Sequence, residues 1–173
     1  MIARRLAPFQ MAVCASPAYL KKHDRPTKVA DLKKHRCLGY TLSNAVGPSS
    51  WSFGSKGDIQ VPVSGPLRAG NGDALVAAAI AGMGIIYQPT FIVADAVAES
   101  KLEVIKLDHP SFNFGNIYAV SPPNEHLPAK VRVFIDFFVE RFAGTPPWQR
   151  RIEKRREHKS IRSRQSSVAS SRR

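Results

Sequence analysis

Asn71, Gly72 and Asp73 stand directly ahead of an alanine-rich apolar run and carry the plainest binding chemistry in the chain. The first turn of a helix presents N–H groups without intrahelical partners and a partial positive charge. It therefore suits a carboxylate or another polar group. Gly72 would let such a group approach the backbone closely. Asp73 works against an anion, and Asn71 and Asp73 also serve as plain helix caps. Capping alone, and capping combined with lining a cleft, both stand open. Ser16, ahead of Pro17, has the same double reading as cap or cleft hydroxyl. Tyr40-Thr41 and Gln88-Pro89 each close a short apolar segment. Core packing and turn formation account for them, but ligands of open α/β sheets gather beyond the carboxyl ends of strands, which makes them candidates for contact.

Catalytic chemistry lacks its parts. There is no Gly-x-Ser-x-Gly elbow and no Gly-Lys-Ser/Thr phosphate loop, and Gly82-Met83-Gly84 lacks the third glycine of a dinucleotide fingerprint. The histidines His23, His35, His109, His126 and His158 do not fall at metal-ligand spacing with acids or cysteines. Cys14 and Cys37 form no Cys-x-x-Cys pair and read as small apolar side chains in a reducing compartment. No paired carboxylates stand out for acid–base work. The expectation is a non-enzymatic protein without cofactor or metal.

Charge is uneven. The net +13 divides into +8 from residues 144–173, with ten Lys/Arg against two Glu, and +5 from the rest. Within the basic stretch Arg150, Arg151, Lys154, Arg155 and Arg156 are candidates for non-specific phosphate contact. Aromatic residues do not interleave them apart from Trp148, so base stacking is not indicated. A segment so poor in apolar residues cannot offset its ordering entropy, and 144–173 is expected to be disordered.

The elements that must position the candidates follow from punctuation and periodicity. Phe9–Ala15 reads as a buried strand, ended by Ser16-Pro17, with a short helix from Ala18 to His23. Thr27–Lys34 reads as a second short helix with Thr27 as its cap. Cys37–Tyr40, Pro66–Ala69, Gly84–Tyr87, Leu102–Leu107 and Asn116–Val120 read as strands, and Trp51–Phe53 with Ile59–Val63 as a hairpin. Asp73–Ala81 is a helix stopped by Gly82, Thr90–Ala98 another, and Pro128–Phe142 the longest. Strands alternating with helices predict an α/β fold with a mixed sheet covered by helices. The apolar runs stop well short of the ~20 residues that cross a bilayer, and Met1–Ala15 carries no convincing export signal.

Four stretches in order carry a resemblance: Cys14–Leu20, Asp31–Leu38, Asn71–Ile86 and Leu127–Phe138. Together they resemble the effector-binding domain of LysR-type transcriptional regulators, over roughly Arg4–Phe142. The resemblance implies a two-lobed fold similar to type 2 periplasmic binding proteins. It implies one complete lobe, 16–116, with Met11–Ala15 as outgoing and Ile117–Val120 as returning crossover. Residues 117–143 then bring the return strand and the helix of the other lobe, so that 1–143 is a partial domain followed by a basic tail. No N-terminal winged helix-turn-helix is present and most of the first lobe is missing, so a truncated form is expected.

The function implied is sensing of a small organic metabolite in an interlobe cleft lined by Ser16, Tyr40, Thr41, Asn71, Gly72, Asp73, Gln88 and Pro89. The implied partners are that effector, a second copy of the chain, and DNA only through the missing winged-helix domain, in the cytoplasm and without a membrane. The alternatives are a solute-binding protein of a transport system, or non-specific nucleic-acid binding through the tail.

Overall fold

A computed structural model describes residues 1–122 and 128–155. Arg156, and the disorder expected of 156–173, lie outside the described residues. The sheet at the centre of the fold is built around β2 (Met11–Ala15), every residue of which is buried. It pairs antiparallel with β7 (Ile86–Pro89) on one side and with β8 (Glu103–Val104) on the other. A parallel bridge between Cys37 and Ile85 continues the array toward β3 (Gly39–Tyr40), which pairs in parallel with β6 (Arg68–Ala69). The sheet is thus mixed. Helices α2 (Gly72–Ile80) and α3 (Thr90–Ala98) pack on one face through Leu75, Ala79, Val93 and Val97. The other face is covered by the hairpin β4 (Ser50–Phe53) and β5 (Ile59–Pro62) and by α1 (Pro17–Lys22), where Trp51, Phe53 and Tyr19 surround Tyr87 and Val13.

A second unit holds β1 (Ile2–Pro8), antiparallel to β9 (Asn116–Ser121), with α4 (Ala129–Arg141) against β1 and an ion pair between Arg4 and Asp136. The sequence reading lacked β1. Its residues are mostly exposed, so no alternation of apolar side chains announces them. Met11–Ala15, expected as the outgoing crossover, is instead the middle strand of the larger unit's sheet. The passage between units lies at Phe9 and Gln10, where Phe9 N–H donates to Gly115 C=O at 3.0 Å.

Three local expectations change for identifiable reasons. The segment Val29–Lys34 is a 3-10 helix, and Thr27 is not its cap. The Asp31 carboxylate accepts from Thr27 N–H at 3.0 Å and Lys28 N–H at 2.9 Å, folding the entry loop onto the first turn. The strand expected over Leu102–Leu107 shrinks to two paired residues, because β2 offers partners only to Cys14 and Ala15, with Ile105 N–H reaching Val13 C=O. The tail does not become featureless at Gly144. Residues 147–155 form a helix, α5, whose Ile152 is 2% exposed. One apolar residue placed against Ala96 and Val97 of the larger core, with Trp148 beside it, supplies the burial that composition averaged over thirty residues concealed. Trp148 meets Phe91 edge-on at 6.0 Å and Phe142 at 5.0 Å, and Arg151 pairs with Asp95.

Both cysteines are buried thiols outside any disulfide. Burial pushes the Cys37 thiol up to about 12 from an ordinary 9.0, and its Sγ lies 3.5 Å from Leu32 C=O. The nucleophile is the thiolate. Native Cys37 should therefore react with a disulfide reagent at neutral pH at least a hundredfold more slowly than after unfolding; a Cys14→Ala protein isolates the signal.

His35 gives a pH dependence. Tyr19 Oη is 3.2 Å from His35 Nδ1 while accepting Arg36 N–H at 3.1 Å, so the imidazole accepts at Nδ1 and is neutral. Desolvation, then the charge of His23, holds its pKa below the usual 6.5, against weaker pulls from Asp31 and Asp24. A base whose folded pKa is lowered leaves stability intact above its unfolded value and loses it as pH falls below. Denaturant midpoints should therefore decline from about pH 6.5 downward, and the decline should flatten in His35→Asn.

Candidate functional site

The carboxyl ends of the parallel strands β3, β6 and β7 emerge on one edge of the sheet, and β2 enters there because it runs antiparallel to β7. At this edge is a hollow of about 390 Å³. Phe9 and Met11 come from the start of β2 and the passage before it. Tyr40, Leu42 and Ser43 come from the end of β3, Gln88 and Pro89 from the end of β7, Phe91 and Ile92 from α3, and Phe114 from the return passage. The aromatic rings support one another: Phe9 meets Phe91 edge-on at 5.6 Å and Phe114 at 5.2 Å. The lining is mainly apolar, with few polar groups and no Lys, Arg, Asp or Glu. Small-molecule sites have this character, apolar walls with a few placed polar groups.

Of the sequence candidates, Tyr40, Gln88 and Pro89 line the hollow. Gly72 stands behind it: a Cβ there would lie 3.1 Å from Gln88 Oε1 and 3.0 Å from Ile92 Cδ1. Gln88 is 2% exposed and holds the polar centre of an otherwise apolar wall. Asn71 and Asp73 are exposed and outside the lining. Asn71 caps α2, its Oδ1 accepting from Asp73 N–H at 2.8 Å and Ala74 N–H at 3.2 Å. Those N–H groups are taken, so the helix start offers little to an external carboxylate. Thr41 is exposed, its N–H held by Ala69 C=O at 3.0 Å. Ser16 is at the opposite end of β2. Its Oγ caps α1 by accepting Tyr19 N–H at 3.2 Å, and the Cβ position of Gly82, past the end of α2, is 3.7 Å away. The antiparallel direction of β2 explains the error: a residue following β2 must leave on the edge away from the carboxyl ends of β3 and β7.

Sequence reasoning missed Phe9, Leu42, Phe91 and Phe114. Aromatic or large apolar residues immediately beyond predicted strand ends were the available signal. Of the phosphate-contact candidates, Arg150 Nε donates to Thr145 C=O at 2.8 Å and Arg151 pairs with Asp95, so both serve the docking of α5. Lys154 and Arg155 lie on its last turn.

Comparison with known proteins follows the same lines. A family model described as the LysR substrate binding domain matches residues 1–143. The HTH-type transcriptional regulator CrgA of Neisseria meningitidis serogroup B is 30% identical over 138 residues, covering 80% of this chain and 46% of that protein. The HTH-type transcriptional regulator DmlR of Escherichia coli K12 is 28% identical over 149 residues, covering 85% and 47%. Among solved structures, the CrgA regulatory domain superposes with TM-score 0.70 at 30% identity over 82% of this chain and 69% of that one. Full-length AphB of Vibrio cholerae, a virulence activator, superposes with TM-score 0.67 at 28% identity over 82% and 48%. The chain spans about half the length of the curated relatives it matches. With the sheet order, the paired passages between units and the match over residues 1–143, the chain belongs to the LysR substrate-binding-domain family, with the α/β fold of LysR-type regulatory domains.

Proposed function

We propose that this chain is the sensing part of a LysR-type DNA-binding regulator and that its effector is a small, largely apolar organic molecule held in the hollow around Gln88. The observation that carries this reading is a buried carboxamide centred in an apolar wall at the strand ends. Apolar burial supplies affinity there, and Gln88, which can both donate and accept, orients one polar group of the ligand. The wall draws on Phe9 and Phe114, which flank the two passages between units. An effector that binds one arrangement of the units better than another shifts their equilibrium. Ser16, Asn71, Thr41 and Asp73 then hold the frame of the site, and Tyr40, Gly72, Gln88 and Pro89 face or back the ligand.

In this reading the chain performs no catalysis, works in the cytoplasm, and reaches DNA only through a winged-helix segment outside the sequence. Among the described residues no helix is long and apolar enough to cross a membrane. Self-association is part of the proposal. Val133, Phe134 and Phe137 on α4 are well exposed, Phe134 at 62%, and an apolar surface of this kind favours association. The test is a thermal-shift screen of the full chain against small aromatic and branched organic acids and amides. One compound should raise the transition saturably, by about 2.7 kcal/mol at a hundredfold excess over its Kd. Gln88→Leu should remove at least tenfold of that affinity. If no compound acts, or Gln88→Leu leaves binding unchanged, the reading fails.

A further inference from the structure

A second cavity, of about 640 Å³, lies on the other flank of β2 and shares only Met11 with the hollow already described. It is bounded by β2, by the 104–111 segment that follows β8, by Thr90 at the start of α3, and by Gln149 and Ile152 of α5. Two buried polar atoms have no hydrogen-bond partner, Thr90 Oγ1 and Gln149 Oε1, and both residues line this cavity. Thr90 is 5% exposed and its N–H is already held by Gln10 C=O at 2.8 Å, so its hydroxyl is the group left to pair. Gln149 Nε2 donates to Glu153 Oε1 at 3.3 Å, which sets the amide with its oxygen inward. Buried polar groups in folded chains are paired almost without exception, so two in one cavity mark a place for something that accepts from one and donates to the other.

We propose that this cavity, closed by α5, binds a zwitterionic amino acid with an apolar side chain. The carboxylate accepts from the Thr90 hydroxyl and faces the Lys106 ammonium on the rim. The ammonium donates to Gln149 Oε1 and faces Asp108, whose Oδ1 accepts Val29 N–H at 2.8 Å and whose Oδ2 is 3.8 Å from His109 Nε2. The apolar side chain rests on Leu107 and Ile152. A rim carrying one cation and one anion, above one inward hydroxyl and one inward carbonyl, matches opposite charges on a single small molecule better than a lone acid or amine.

The test uses the full chain and three probes: L-leucine, 4-methylpentanoate, which lacks the ammonium, and isopentylamine, which lacks the carboxylate. Calorimetric titration should show saturable binding of leucine and at least tenfold weaker binding of each half-analogue. Thr90→Val and Gln149→Leu should each weaken leucine at least tenfold, while Gln88→Leu in the other hollow leaves it unchanged. The Gln149 change sits on the partly exposed α5 and keeps the test valid if Thr90→Val fails to fold. Three results overturn the proposal: no leucine binding, binding that survives Gln149→Leu, or binding lost in Gln88→Leu. Higher stability in Thr90→Val with no leucine binding in the parent would mean that water alone fills the cavity.

Discussion

Replacing Gly84 with alanine should destabilise the chain by about 3 kcal/mol or more, enough to unfold much of the population at 37 °C. A Cβ on Gly84 would lie 2.2 Å from Arg36 C=O oxygen and 3.0 Å from its carbonyl carbon. Those are backbone atoms and cannot swing aside. The contact is also where β3 and β7 are joined: Ile85 N–H donates to Arg36 C=O at 2.7 Å and Leu38 N–H donates to Ile85 C=O at 2.8 Å. Relieving the overlap therefore means opening the parallel bridge that carries the sheet from one pair of strands to the next. Gly144 is the control. Its φ is +67° with nothing within 4 Å of an added Cβ, so Gly144→Ala meets only the left-handed backbone cost, about 1 kcal/mol. Urea unfolding of both variants measures the difference. Equal, small losses would mean that the strands do not approach this closely.

The second large effect concerns the tail. Ile152→Ala should cost about 3 kcal/mol, within the range for emptying a fully buried aliphatic site. Ile152 belongs to the same buried cluster as Leu75, Ala79, Val93 and Val97, so its loss leaves a cavity beneath α5 that the helices on the sheet cannot readily fill. Arg151→Ala should cost far less, well under 1 kcal/mol, because the pair with Asp95 is exposed on both sides. A chain ending at residue 146 should lose at least as much as Ile152→Ala, since Trp148 leaves its contacts with Phe91 and Phe142 as well. Denaturant midpoints of the three variants test the order. An Ile152→Ala variant as stable as its parent would show α5 undocked in solution.

The two experiments mark the boundary of what residue order conveys. Asn71 ahead of an alanine-rich run, Gly82 after it, Pro17 behind Ser16 and the 3.6-residue spacing of Phe134, Phe138 and Phe142 are local signals, satisfied within a turn or two of chain. The caps and elements they announce are present: Asn71 and Ser16 accept from the first turns of α2 and α1, and Gly82 has φ +82°. The family resemblance was legible for the same reason, as ordered stretches of such signals. Gln88 and Tyr40 could be named as site candidates because a strand end is itself a local feature.

What needed three dimensions was direction and company. Ser16 and Gln88 both neighbour strand ends, yet the antiparallel course of β2 sends Ser16 to the opposite edge. Phe9, Phe91 and Phe114, far apart in sequence, form one wall. Ile152 reads as a lone apolar residue among arginines until its partners on α3 are seen. Short-range sterics and hydrogen bonding write themselves into neighbouring residues. Burial is a property of surfaces that meet only after the chain has closed on itself, and no window along the sequence contains both of them.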